Sequence, residues 1–133
     1  MENKTFKAHT DLDQAKKLSE ILPPESADMF WKNGVSDKYI QCFAPFVNCG
    51  TNMDYDYDVP CWSLAALLKI LHRNEKDIVS LSYGGYKDGK YILNWCLDYE
   101  TENGDYIKTF GDDSVDACVE MILRLHELKK NTN

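Results

Sequence analysis

The stretch DIVSLSYGGYKDGKYILNWCLDYETENGDYIKTF, Asp77 to Phe110, decides the fold. Its β-branched and aromatic runs are separated by Asp88-Gly89 and Asn103-Gly104, dipeptides that accept the positive φ angles of tight hairpin turns. A three-stranded antiparallel meander is predicted over Asp77 to Tyr86, Lys90 to Glu100 and Asp105 to Phe110. If both turns have two residues, Tyr86 faces Tyr91, Leu97 faces Phe110 and Tyr99 faces Lys108, because partners are equidistant from the turn. One face then gathers Tyr91, Leu93, Trp95, Leu97, Tyr99, Tyr106 and Phe110 opposite Ser80, Ser82 and Gly84, and this is the expected core side. The other face mixes Asn94, Asp98, Glu100 and Thr109 with Leu81, Tyr83, Ile92 and Ile107. It is more apolar than a solvated face requires, which leaves room for a dimer or a covering element.

Helices are expected before and after the meander in the chain. Upstream, Pro60 suits a first helical turn, and Cys61 to about His72 carries Leu64, Leu67, Leu68 and Leu71 on one face. Downstream, Asp113 or Ser114 caps a helix whose stripe is Val115, Cys118, Val119, Ile122 and Leu125. Near the N-terminus, Thr10 and Asp13 suggest a capping box ahead of Leu12, Ala15, Leu18 and Leu22, and Pro23-Pro24 ends that helix. Ser26 to Lys32 and Val35 to Phe46 flank Asn33-Gly34 and read as a first hairpin. The expectation is a single α+β domain over residues 1–133, in the order α-β-β-α-β-β-β-α. Its helices pack on one face of a mainly antiparallel sheet, and Met1 to about His9 and the last few residues are flexible.

Composition excludes several classes. Of 133 residues, 44% are hydrophobic and 28% charged, which is the profile of an ordinary globular chain and not of a disordered or fibrous one. A formal charge of −7 opposes nonspecific binding to nucleic acid or anionic membranes, since phosphate backbones reward cations. The longest apolar run, Trp62 to Leu71, is too short to span a bilayer. Five cysteines, Cys42, Cys49, Cys61, Cys96 and Cys118, leave at least one unpaired and none in a C-x-x-C pair. Reduced thiols in a cytoplasm are expected, with no metal or other cofactor.

Three features invite a functional reading. Asp54, Tyr55, Asp56, Tyr57 and Asp58 alternate carboxylates with tyrosines in a stretch without regular period between Pro45 and Pro60, the composition of a protein-recognition loop. The Asp-x-Asp-x-Asp spacing opens an EF-hand loop, but Val59 replaces its glycine and Ala65 its closing glutamate, so calcium is not expected. Cys61-Trp62-Ser63 at an expected helix start has some likeness to the cysteine stretch of papain-like proteases, since a helix N-terminus favours a thiolate. That family's flanking glycine run and its histidine and asparagine contexts are missing. Residues from Cys61 onward also give the α-β-β-β-α order of double-stranded RNA binding domains, yet Asp112, Asp113 and Asp116 stand where that family places phosphate-gripping lysines.

Val59-Pro-Cys-Trp-Ser-Leu-Ala-Ala-Leu-Leu-Lys-Ile-Leu71 and Asp113-Ser-Val-Asp-Ala-Cys-Val-Glu-Met-Ile-Leu-Arg-Leu-His-Glu-Leu128, with Leu81-Ser-Tyr-Gly-Gly-Tyr86, resemble a group of small proteins encoded in gut bacterial genomes, often in prophage-like or mobile regions. The likeness spans Glu25 to Leu128 and brings no activity or site residues with it. The expected function is that of a non-enzymatic accessory protein of phage or mobile-element origin. It would meet an unidentified protein partner, a basic one being complementary, through the surface of Asp54 to Asp58. The alternatives are a small hydrolase using Cys61 and a small-molecule binding domain with its pocket between helices and sheet. Oligomeric state is left open.

Overall fold

Alternating side chains and glycine-containing turns build the C-terminal half first. In the computed structural model, which describes residues 7–31, 46–47, 58–74 and 76–130, β4 (Ile78–Lys87), β5 (Lys90–Glu100) and β6 (Tyr106–Gly111) form an antiparallel sheet in the order β4-β5-β6. Asp88 and Gly89 both have positive φ, 52° and 79°, as a type I′ turn requires, and Tyr86 pairs with Tyr91 as expected.

Two one-residue slips correct the expected faces. The β4–β5 register shifts between Tyr83↔Trp95 and Gly85↔Ile92, at Gly84 with its φ of 95°, so Leu81 and Val79, not the serines, face Leu97 and Tyr99. The second turn is a wider loop, in which Thr101 N–H donates to the Asp105 carbonyl (2.8 Å), and Glu100 pairs with Tyr106. Leu97 therefore faces Thr109 and Tyr99 faces Ile107, while Phe110 moves to the opposite face beside Cys96. A slip of one residue exchanges the two faces of a strand. The core side of the sheet is Val79, Leu81, Trp95, Leu97, Tyr99, Ile107 and Thr109, whereas Tyr91, Leu93 and Tyr106 are exposed.

The helices cover that side. α3 (Ser114–Lys130) buries Val115, Cys118, Val119 and Ile122 as its pattern predicts, together with Ala117 and Met121. Asp113 is its cap, accepting from the Asp116 N–H at 2.9 Å. The Thr109 hydroxyl donates to the Ala117 carbonyl (2.9 Å), which ties β6 to α3. α2 (Leu64–Leu71) packs against α3 and buries Leu67 and Leu71. α1 (Leu12–Ser19) adds Leu18 to the same core. Its capping box is made by Asp11 and Gln14 and not by Thr10 and Asp13. A short 3₁₀ turn, Pro24–Ser26, follows.

A second antiparallel sheet has β1 (Met29–Trp31) between β2 (Phe46–Val47) and β3 (Val59–Cys61). The expected element order α-β-β-α-β-β-β-α is observed, with β3 as an added short strand before α2. Pro60 thus sits in an edge strand, where a missing N–H is tolerated, and not in the first turn of α2. Asn33-Gly34 lies outside the described residues. In the stretch Lys7 to His9, His9 forms a β-bridge with Ser63, and Lys7 pairs with Asp11 and Asp116.

Candidate functional site

Asp54, Tyr55, Asp56 and Tyr57 lie outside the described residues. Asp58 is described, and it is buried, only 6% exposed, immediately before β3. It does not extend the acidic loop onto the surface.

Cys61 stands at the end of β3, two residues before Ser63, the actual N-cap of α2, whose hydroxyl accepts from the Ala66 N–H at 3.2 Å. Its side chain is fully buried and exchanges hydrogen bonds with Thr10, accepting from Thr10 Oγ1 and donating to the Thr10 carbonyl, each at 3.4 Å. Burial pushes the thiol up to about 11, against the smaller opposing effect of the Thr10 hydrogen bonds. This is the reverse of the thiolate-favouring helix start expected from sequence. No imidazole hydrogen-bonds Cys61 among the described residues. Cys118, also buried, is pushed up to about 12, and burial followed by the Asp98 carboxylate raises Cys96.

The residues around Cys61 instead form a clasp. Thr10 N–H donates to the Trp62 carbonyl (2.9 Å), Trp62 N–H donates to Thr10 Oγ1 (3.2 Å), and the Trp62 indole donates to Ser26 Oγ (3.0 Å). Asp28 accepts from both the N–H and the hydroxyl of Ser63. The Trp31 indole reaches the Thr10 carbonyl (3.3 Å). Each of these polar groups satisfies another, so the Cys-Trp-Ser stretch joins three chain segments.

Below the core, the Tyr99 phenol donates to the Asp77 carboxylate, which also accepts from the Glu102 N–H (3.1 Å) and the Asn74 side-chain amide (3.4 Å). Burial, then the Asp77 hydrogen bond, pushes the Tyr99 phenol up to about 12. Among the described residues no group of three or more His, Cys, Asp or Glu is placed to hold a metal ion.

The feature that sequence misassigned is the outer half of the β4–β5 hairpin. β6 pairs only with Trp95 to Glu100, so Lys90 to Asn94 extend past it. Tyr86 (64% exposed), Tyr91 (57%) and Leu93 (68%) occupy this part of the hairpin, and Tyr83 (56%), paired with Trp95, stands at its inner edge. They are four of the seven strongly exposed large apolar or aromatic side chains among the described residues. Tyr86 and Tyr91 stack edge to face at 5.2 Å, and Tyr83 meets Trp95 at 5.5 Å, which fixes their rings on rigid strands. The available signal was length: a strand of 11 residues cannot be covered by a neighbour of six.

Comparison with protein-family models, curated proteins and solved structures finds no match to this chain. No helix among the described residues is long and apolar enough to cross a membrane.

Proposed function

We propose that the chain is a non-enzymatic binding protein that engages a protein partner through the exposed aromatic end of its β4–β5 hairpin. The observation that carries this reading is the clustering of Tyr83, Tyr86, Tyr91 and Leu93 on a braced hairpin. Tyrosine supplies large contact area at small entropic cost, and rigid strands have already met most of the ordering cost of binding. The composition of the Asp54 to Tyr57 stretch, carboxylates alternating with tyrosines, suits a partner with basic groups. An accessory role in a mobile element is part of the same proposal and rests only on the resemblance read from the sequence of Val59–Leu71 and Asp113–Leu128. The buried, hydrogen-bonded state of Cys61 argues against the hydrolase alternative.

The test is affinity capture from native host lysate by the wild-type chain and by a Tyr86→Ser, Tyr91→Ser, Leu93→Ser variant, with mass-spectrometric identification. A protein held by the wild type and released by the variant, at unchanged far-ultraviolet circular dichroism, is expected. Capture of nucleic acid alone, or identical captured sets, would overturn the reading.

A further inference from the structure

A cleft of about 700 Å³ opens between the end of α1, α2, α3 and the start of β4, on the side of the core where Tyr99 and Asp77 meet. Its walls are apolar: Leu22 and Ile70 on one side, Ile122 and Leu125 on the other. Its size lies within the range of small-molecule sites. At its rim stand Arg73, His126 and Lys129.

The charge at the rim opposes the charge of the chain. The only acid lining the cleft among the described residues is Asp77, which is 8% exposed and already accepts from Tyr99, Glu102 and Asn74. The nearby Glu102 side chain is turned to Lys76 at 3.3 Å. A protein of net charge −7 thus sets basic groups around a mostly apolar recess, and at physiological salt distant carboxylates are screened beyond roughly 8 Å. Such a recess rewards a ligand with an apolar body and an anionic head. It penalises a cationic head, which would stand beside the like charge of Arg73.

We infer that this cleft binds a small amphipathic carboxylate, its hydrocarbon or aryl body between Ile70 and Leu125 and its head group at Arg73. The site is distant in function from the aromatic hairpin and does not depend on the partner-binding reading. Tyr99 and Asp77, the buried polar pair of the lining, are hydrogen-bonded to each other, so the head group is paired at the exposed Arg73.

The test uses decanoate, decanol and decyltrimethylammonium below their aggregation concentrations, read by calorimetry and by ¹H–¹⁵N spectra of the full chain. Saturable one-site binding of decanoate is expected, with shifts confined to Ile70, Arg73, Leu125, His126 and their neighbours. Decanol should bind at least about tenfold more weakly, and the cationic probe should not bind. Arg73→Glu, at an exposed position that leaves the core intact, should weaken decanoate at least about tenfold, whereas Leu125→Trp should block both decanoate and decanol by filling the recess. Equal affinity for decanol, unchanged decanoate affinity in Arg73→Glu, shifts at the hairpin instead of the cleft, or no decanoate binding at millimolar concentration would each overturn the inference.

Discussion

Thr10 and Trp62, 52 positions apart, hydrogen-bond each other twice: the Thr10 N–H to the Trp62 carbonyl, and the Trp62 N–H to the Thr10 hydroxyl. Both residues are fully buried. Thr10→Val keeps the shape and deletes the acceptor, leaving the Trp62 N–H unsatisfied at a cost of about 1–3 kcal/mol. Thr10→Ser should lose less than half as much. Urea denaturation decides this, and a valine variant as stable as the wild type would show that the hydroxyl is dispensable.

The thiols make a second prediction. With Cys61 pushed up to about 11 and Cys118 to about 12, both should react with iodoacetamide at pH 7.5 at least about a hundredfold more slowly than a free thiol of ordinary acidity. Peptide mapping of a timed alkylation measures each site. Rapid labelling of Cys61 in the folded chain would restore the nucleophile hypothesis.

These groups also set an alkaline limit. A group whose folded pKa is raised binds its proton more tightly when folded, so its contribution is complete below the unfolded pKa and is lost as pH rises through the folded one. For Cys61, Cys118 and Tyr99 the loss begins near their ordinary values of 9.0 and 10.0 and continues to about 11 or 12. The melting temperature should therefore fall between pH 9 and 11, and Cys118→Ala should flatten that fall relative to its own value at pH 7. A parallel pH profile in that variant would remove Cys118 as a cause.

Gly111 ends β6 against the first turn of α3. A Cβ added there would lie 2.5 Å from the Ala117 backbone nitrogen, so Gly111→Ala must shift the helix and should cost about 1–3 kcal/mol. Gly89, whose φ is 79°, has nothing within 4 Å of an added Cβ, and Gly89→Ala should cost only the backbone strain of about 1 kcal/mol. Denaturation midpoints that reverse this order would mean that β6 and α3 are less tightly apposed.

Periodicity revealed the helices because each keeps one face in the core, as the stripe from Val115 to Ile122 does. The β4–β5–β6 pairing was legible as a meander, but its faces were not. Asp88-Gly89 behaved as its composition implies, whereas the Asn103-Gly104 turn widened through the Thr101–Asp105 hydrogen bond and Gly84 took a positive φ. Neither choice leaves a local signal in the alternation. The recess at Arg73 and His126 was illegible for a different reason: its walls come from three helices far apart in sequence, and single-segment patterns do not report such a convergence. Cys61 was misplaced because Val59-Pro60 pairs with β1, a long-range contact that outweighs the preference of Pro60 for a first helical turn.

The two sheets differ in how far apart along the chain their partners lie. β4 and β5 are joined by a two-residue turn, while β1 must find both β2 and the more distant β3, and the Thr10–Trp62 clasp closes a longer loop still. Loop closure costs more entropy as the loop lengthens, and hairpins form within about 1–10 μs. Folding is accordingly expected to begin in the C-terminal hairpin and to end when β1 and the clasp dock. In stopped-flow experiments, burial of Trp62 should lag the formation of strand structure around Trp95, so the N-terminal region is the last part of the chain to become native and the first to be lost.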